Sequence, residues 1–151
     1  MNLVTVFPGT ESIFESGAQT LVNPVNCVGV AGKGLALEFR KRFPSAFKEY
    51  VALCKAGRIL MGWTYLYQNN SLPWILCFST KQHWKDHSSL REIVHGLEHL
   101  KLHYIKWGIT SLAVPALGCG EGKLDWKIVE PILYKELSKL GIPVMMYAPH
   151  N

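Results

Sequence analysis

Three short stretches carry residue types able to do chemistry. Lys81 stands in Ser79-Thr80-Lys81-Gln82-His83-Trp84, directly after the apolar run Trp74–Phe78. A lysine at the exit of a buried strand can reach a ligand bound beyond the sheet. Two roles are open to it: a point charge for phosphate, or a nucleophile or Schiff-base former if desolvation or a neighbouring base lowers its pKa. Two glycine-rich loops accompany it. One runs Asn26-Cys27-Val28-Gly29-Val30-Ala31-Gly32-Lys33-Gly34-Leu35, the other Leu117-Gly118-Cys119-Gly120-Glu121-Gly122, and each lies between an apolar strand pattern and a helical one. Glycine admits a ligand close to the backbone, and N–H groups at a helix start cradle anionic oxygen. Neither GxGxxG nor GxxxxGKS/T is present, so the dinucleotide-fold and Walker fingerprints both fail. Two such loops at strand ends suit the two sides of a pyrophosphate.

Asn23 and Asn26 bracket Pro24 before the first loop. Their amides have the donors and acceptor needed to grip ribose hydroxyls, or they stabilise a local Asx turn instead. His83 and His87 flank Trp84 and Lys85, a grouping that can stack bases and meet phosphates or pack as an ordinary loop. His95, His99 and His103 recur every fourth residue. Without carboxylate or cysteine neighbours, this stripe reads as a helix face and no metal site is expected. Trp63, Trp74 and Trp107 read as buried or partly buried.

These residues need a scaffold that brings three strand ends together. Leu3–Phe7, Thr20–Asn23, Trp63–Tyr67, Trp74–Phe78, Ser111–Pro115 and Pro143–Tyr147 read as strands. Helical patterns occupy Lys33–Phe43, Ser45–Lys55, Ser88–Trp107 and Trp126–Leu140, with Asp125 as the N-cap of the last. The alternation argues for an α/β fold with a mostly parallel sheet between helices, and residues 1–151 read as one domain.

The chain carries 16 Lys and Arg against 11 Asp and Glu, a net charge of +5 that favours anionic partners. Hydrophobic residues make up 48%, enough for a folded core. The four cysteines show no CxxC spacing, and the start of the chain lacks a signal-peptide pattern. Reduced thiols and a cytoplasmic location are the expectation. No apolar run approaches the ~18 residues of a membrane helix.

Together, LVNPVNCVGVAGKGLALEFRKRFP, FSTKQHW and VPALGCGEGKLDW resemble the macrodomain family, and within it the DarG-type DNA ADP-ribosyl glycohydrolases, antitoxins to DarT toxins. The resemblance implies a three-layer α/β/α fold with a mixed, mostly parallel sheet, binding ADP-ribose without a cofactor. It implies removal of ADP-ribose from thymidine in single-stranded DNA by a monomer, with a DarT-like toxin as further partner. Lys81 and Asn23 are the catalytic residues it points to. Asn26, Cys27, Val28, Gly29, Val30, Gly32, Gly34, Leu35, Thr80, His83, Leu117, Gly118, Cys119, Gly120, Glu121 and Gly122 would line the ligand. Glu121 and Asp125 are the nearest carboxylates. Two departures stand out. The aspartate that many macrodomains use for adenine is missing from Gly9–Ile13, where Glu11 or Ser12 could substitute. Gly122 stands where related protein-directed glycohydrolases carry an acid, which favours the DNA-directed group.

Overall fold

Apolar runs bounded by Gly, Pro and Asn become strands, and the amphipathic segments between them become helices. In the computed structural model, which describes residues 3–150, the order is β1 (Val4–Phe7), a 3-10 turn (Ile13–Glu15), β2 (Thr20–Asn26), α1 (Gly34–Arg42), α2 (Pro44–Lys55), β3 (Thr64–Tyr67), β4 (Trp74–Lys81), α3 (Leu90–His103), β5 (Leu112–Val114), α4 (Trp126–Leu137) and β6 (Val144–Tyr147). The six strands lie in the order β1-β6-β5-β2-β4-β3. All neighbours are parallel except the edge strand β3, which runs antiparallel to β4.

Successive residues of a strand point to opposite faces, and this sorts the core into two layers. Val22, Leu76, Phe78, Leu112 and Met146 meet Ile93 and Leu97 of α3 and Leu133 of α4. Their neighbours Leu21, Ile75 and Ala113 face Phe39 of α1 and Ala46 of α2. Val25 and Cys77 extend that second layer to Tyr50. A strand covered on both faces has no polar side, which is why Trp74–Phe78 is apolar throughout. Parallel β2, β4 and β5 are neighbours, so the loops leaving their carboxyl ends gather at one edge of the sheet.

Several boundaries differ from the sequence reading. β2 continues through Pro24 to Asn26. It pairs with β5 only at Thr20 and Leu21, so the proline falls where that flank has lost its neighbour and no ladder donor is needed. Trp63 lies just outside β3 and is 53% exposed, not buried, its ring stacked on His99. Regular α3 ends at His103, and turns carry the chain on to Gly108.

Gly96 of α3 sits against the ring of Phe78, which is 1% exposed. A side chain there would overlap that ring, and the closed core leaves it nowhere to go. Overpacking of this kind costs about 1–3 kcal/mol. Gly96→Val is expected to lower the midpoint of urea unfolding while leaving the slope unchanged.

Candidate active site

The first loop is shaped by one side chain. Asn26 Oδ1 accepts from the N–H groups of Val28, Gly29 and Val30 at 3.1, 3.0 and 3.2 Å, and Nδ2 donates to Val30 O at 2.8 Å. Gathering three consecutive N–H groups on one oxygen curls the chain, and Gly29 supplies the φ of 83° the curl requires. The Tyr50 hydroxyl donates to Asn26 O at 2.6 Å, with Oδ1 at 3.0 Å. Burial raises the pKa of this tyrosine, so it remains a donor. The Asx alternative therefore describes Asn26: its carbonyl oxygen is committed to its own loop and does not offer the ribose acceptor expected of it.

Unpartnered N–H groups lie further along. Among the described residues, nothing accepts from the N–H groups of Gly34, Leu35 or Ala36, which open α1. They point out of the helix start, where the dipole favours negative charge. Val28 and Val30 are exposed beside them.

Lys81 is the last residue of β4 rather than a residue beyond it. In the β2–β4 ladder Val25 pairs with Ser79 but Asn26 pairs with Lys81, so Thr80 is an extra residue, a β-bulge. Bulges re-aim the following side chain. Thr80 itself is buried and donates its hydroxyl to Val25 O at 3.4 Å. Beyond the bulge, Cys27 N–H donates to Gln82 O at 3.0 Å, fastening the first loop to the lysine's loop. Lys81 Nζ donates to Trp84 O at 2.9 Å.

The second loop meets the same segment from the other side. Ser88 N–H donates to Gly122 O at 2.9 Å. A side chain on Gly122 would overlap Ser88 Oγ and crowd Gly118 O, so the position excludes any acid there. The N–H groups of Gly120, Glu121 and Gly122 have no acceptor among the described residues. The segment that follows Lys81 is thus tied at one end, through Gln82, to the Asn26 loop and at the other, through Ser88, to Gly122. Gly32 and Gly120 face open space, and neither has the positive φ that calls for glycine.

The remaining expected residues divide. Glu121 is exposed, Leu117 is buried at the base of its loop, and Leu35 and His83 are half-buried. Asn23 lies on β2 opposite Cys77, four residues down β4 from Lys81, roughly 13 Å of strand. It points under α1 and α2 beside Phe39 and Tyr50, and its Oδ1 is buried without a partner. The structure does not bring Asn23 to Lys81. Asp125 is the N-cap of α4, accepting from Lys127 N–H at 3.0 Å. Ser12 caps the 3-10 turn through Phe14 N–H, which leaves exposed Glu11 as the carboxylate of that rim. Contrary to the sequence reading, His95 of the histidine stripe has a carboxylate neighbour, Glu92, 3.5 Å away. The other two histidines are engaged in packing: His99 Nδ1 accepts from Thr64 N–H at 3.1 Å, and His103 stacks between His99 and Trp107. These rings line a separate groove of about 400 Å³ along β3 that touches the lysine's strand at Cys77 and Ser79. Sequence reasoning missed Tyr50, Ser88 and the carbonyl of Trp84. Only the apolar, tyrosine-bearing stripe of α2 hinted at the first.

Residues 22–133 match the Macro domain family, and the chain belongs to it. The macrodomain of Mycobacterium tuberculosis DarG superposes with a TM-score of 0.90 at 37% identity, covering 96% of this chain and 98% of that one. Thermosipho africanus DarTG, solved in complex with ADP-ribose, gives the same TM-score at 41% identity, covering 95% of this chain and 41% of the other. Among curated relatives, the DNA ADP-ribosyl glycohydrolase of M. tuberculosis is 38% identical over 93% of this chain. The chain spans about two fifths of the length of curated relatives of this kind. No helix among the described residues is long and apolar enough to cross a membrane.

Cysteine chemistry at the cleft is unfavourable. Burial first, and then Asp125, push the Cys119 thiol up to about 11, and burial also raises Cys27. At pH 7 Cys119 therefore carries on the order of a hundredfold less thiolate than an ordinary cysteine. Iodoacetamide labelling of Cys119, followed by peptide mass spectrometry, is expected to be slow at pH 7 and to rise about tenfold per pH unit, levelling off only near pH 11.

Proposed function

We propose that this chain cleaves the bond between the anomeric carbon of ADP-ribose and a thymine nitrogen in single-stranded DNA, reversing the modification made by a DarT-like toxin. The observation that carries this reading is the placement of Lys81, re-aimed by the Thr80 bulge and followed by a segment tied through Gln82 to one glycine loop and through Ser88 to the other. The N–H groups of Gly34, Leu35 and Ala36 suit one phosphate, and those of Gly120, Glu121 and Gly122 the other side of the diphosphate. Gly32 and Gly120 leave room for the ligand's backbone approach. The +5 charge suits a polyanionic substrate.

Breaking the bond builds positive charge on the ribose and negative charge on the departing base. Lys81 as an ammonium donates its proton to the base nitrogen while water adds to the anomeric carbon. Lys81 as an amine instead attacks that carbon and expels the base, which takes the proton the nitrogen loses; the ribose ring then opens to a lysine Schiff base that water hydrolyses. Cyanoborohydride separates these routes, since only the second passes through a lysine–sugar Schiff base to reduce.

The test is an oligonucleotide bearing ADP-ribosyl-thymidine, beside a protein carrying carboxylate-linked ADP-ribose. Wild type is expected to release ADP-ribose from the DNA, and Lys81→Ala to be slower by about 10²–10⁴-fold. A wild type that binds ADP-ribose yet leaves the DNA adduct intact would make this a reader. A Lys81→Ala variant as fast as wild type removes the lysine from the chemistry.

Gly120 offers a separate check on the cradle. Gly120→Val should leave the melting temperature within about 2 °C, because the added carbon meets open space. Calorimetry should show ADP-ribose affinity falling by about tenfold or more, through loss of an N–H contact.

A further inference from the structure

The segment that carries Lys81 also presents an aromatic surface that the glycosidic chemistry leaves unused. Trp84 is 47% exposed, although a free indole is among the side chains most often covered in a folded chain. It does not sit on a slack loop. His83 N–H donates to Asp86 Oδ2 at 3.0 Å, Asp86 N–H returns to His83 O at 3.0 Å, and Lys85 N–H donates to His83 Nδ1 at 3.2 Å. Those bonds fix a tight turn with Trp84 and Lys85 at its tip. Lys85 Nζ lies 5.1 Å from the indole centroid, over the ring, and the His83 ring sits 5.5 Å away at 33°. The carbonyl of Trp84 is the partner of Lys81 Nζ, so the indole hangs within one residue's reach of the reacting lysine.

We infer that Trp84 is a stacking platform for a nucleobase flanking the modified thymidine, with Lys85 beside it for the backbone phosphate of the same strand. The inference rests on the proposed function. An exposed ring with a cation over one face and the other left for a base is a pairing by which proteins hold single-stranded nucleic acid without reading its sequence. Asp86, the acid of the turn, faces the His83 main chain through one carboxylate oxygen and closes the turn. The consequence is a substrate preference: a modified nucleotide inside a strand gains a contact that an isolated ADP-ribosyl-nucleoside lacks.

Three measurements decide it. The first compares kcat/KM on an ADP-ribosylated single-stranded oligonucleotide with kcat/KM on ADP-ribosyl-thymidine. Wild type should favour the oligonucleotide, and Trp84→Ala should cut that ratio about tenfold, mainly through KM, a loss of the size expected for one base stacked on an aromatic side chain. Trp84→Phe should keep most of the ratio. The second gives wild type oligonucleotides in which one flanking base is replaced by an abasic site; the loss should match that of Trp84→Ala, and the two losses should not add. The third measures binding of unmodified single-stranded DNA by fluorescence polarization, which Trp84→Ala should weaken. An unchanged ratio, or indifference to both abasic flanks, overturns the proposal. If wild type cleaves neither substrate, the parent reading has failed, and polarization alone then decides whether Trp84 holds single-stranded DNA.

Discussion

The carboxamide oxygen of Asn26 is the atom on which the ligand end of this fold depends. It gathers three consecutive N–H groups of the first loop, and the Tyr50 hydroxyl of α2 closes over the same residue. Each of these hydrogen bonds is worth about 0.5–1.5 kcal/mol. Together they hold the curl of the loop from within the chain. The unpartnered N–H groups of Gly34, Leu35 and Ala36 can then be a preformed cradle, and ordering them does not have to come out of the binding energy.

A second constraint sits next to the first. Asn26 pairs with Lys81, one residue after Thr80 breaks the ladder. Regular pairing there would have placed the lysine on the other face of the sheet, since a one-residue slip reverses every side chain. The bulge thus determines which side of the sheet holds the Lys81 side chain. Parallel β2, β4 and β5 supply the rest, because neighbouring parallel strands deliver their following loops to one edge.

Much of this was legible in the chain. Helical periodicity and turn residues marked every helix and all six strands, and the two glycine loops and Lys81 fell where an α/β fold collects its ligands. What was hidden depends on three-dimensional pairing. Pro24 read as a strand end, and only the early loss of the β5 neighbour lets β2 run past it. The Thr80 bulge leaves no mark in composition. Trp63 read as buried because aromatic content says nothing about which side of an edge strand a ring takes. Asn23 and Asn26 looked equivalent three residues apart, yet one lies beneath α1 and α2 and the other builds the loop.

The contact between Ser88 and Gly122 has a consequence for communication within the cleft. Because the main chains bond there and no side chain fits between them, the Gly118–Gly122 loop and the segment that follows Lys81 are fastened at a shared point. On the proposed function, a ligand phosphate seated on that loop would bear on the position of Lys81 through this one contact, and by linkage the lysine's position would bear equally on the phosphate.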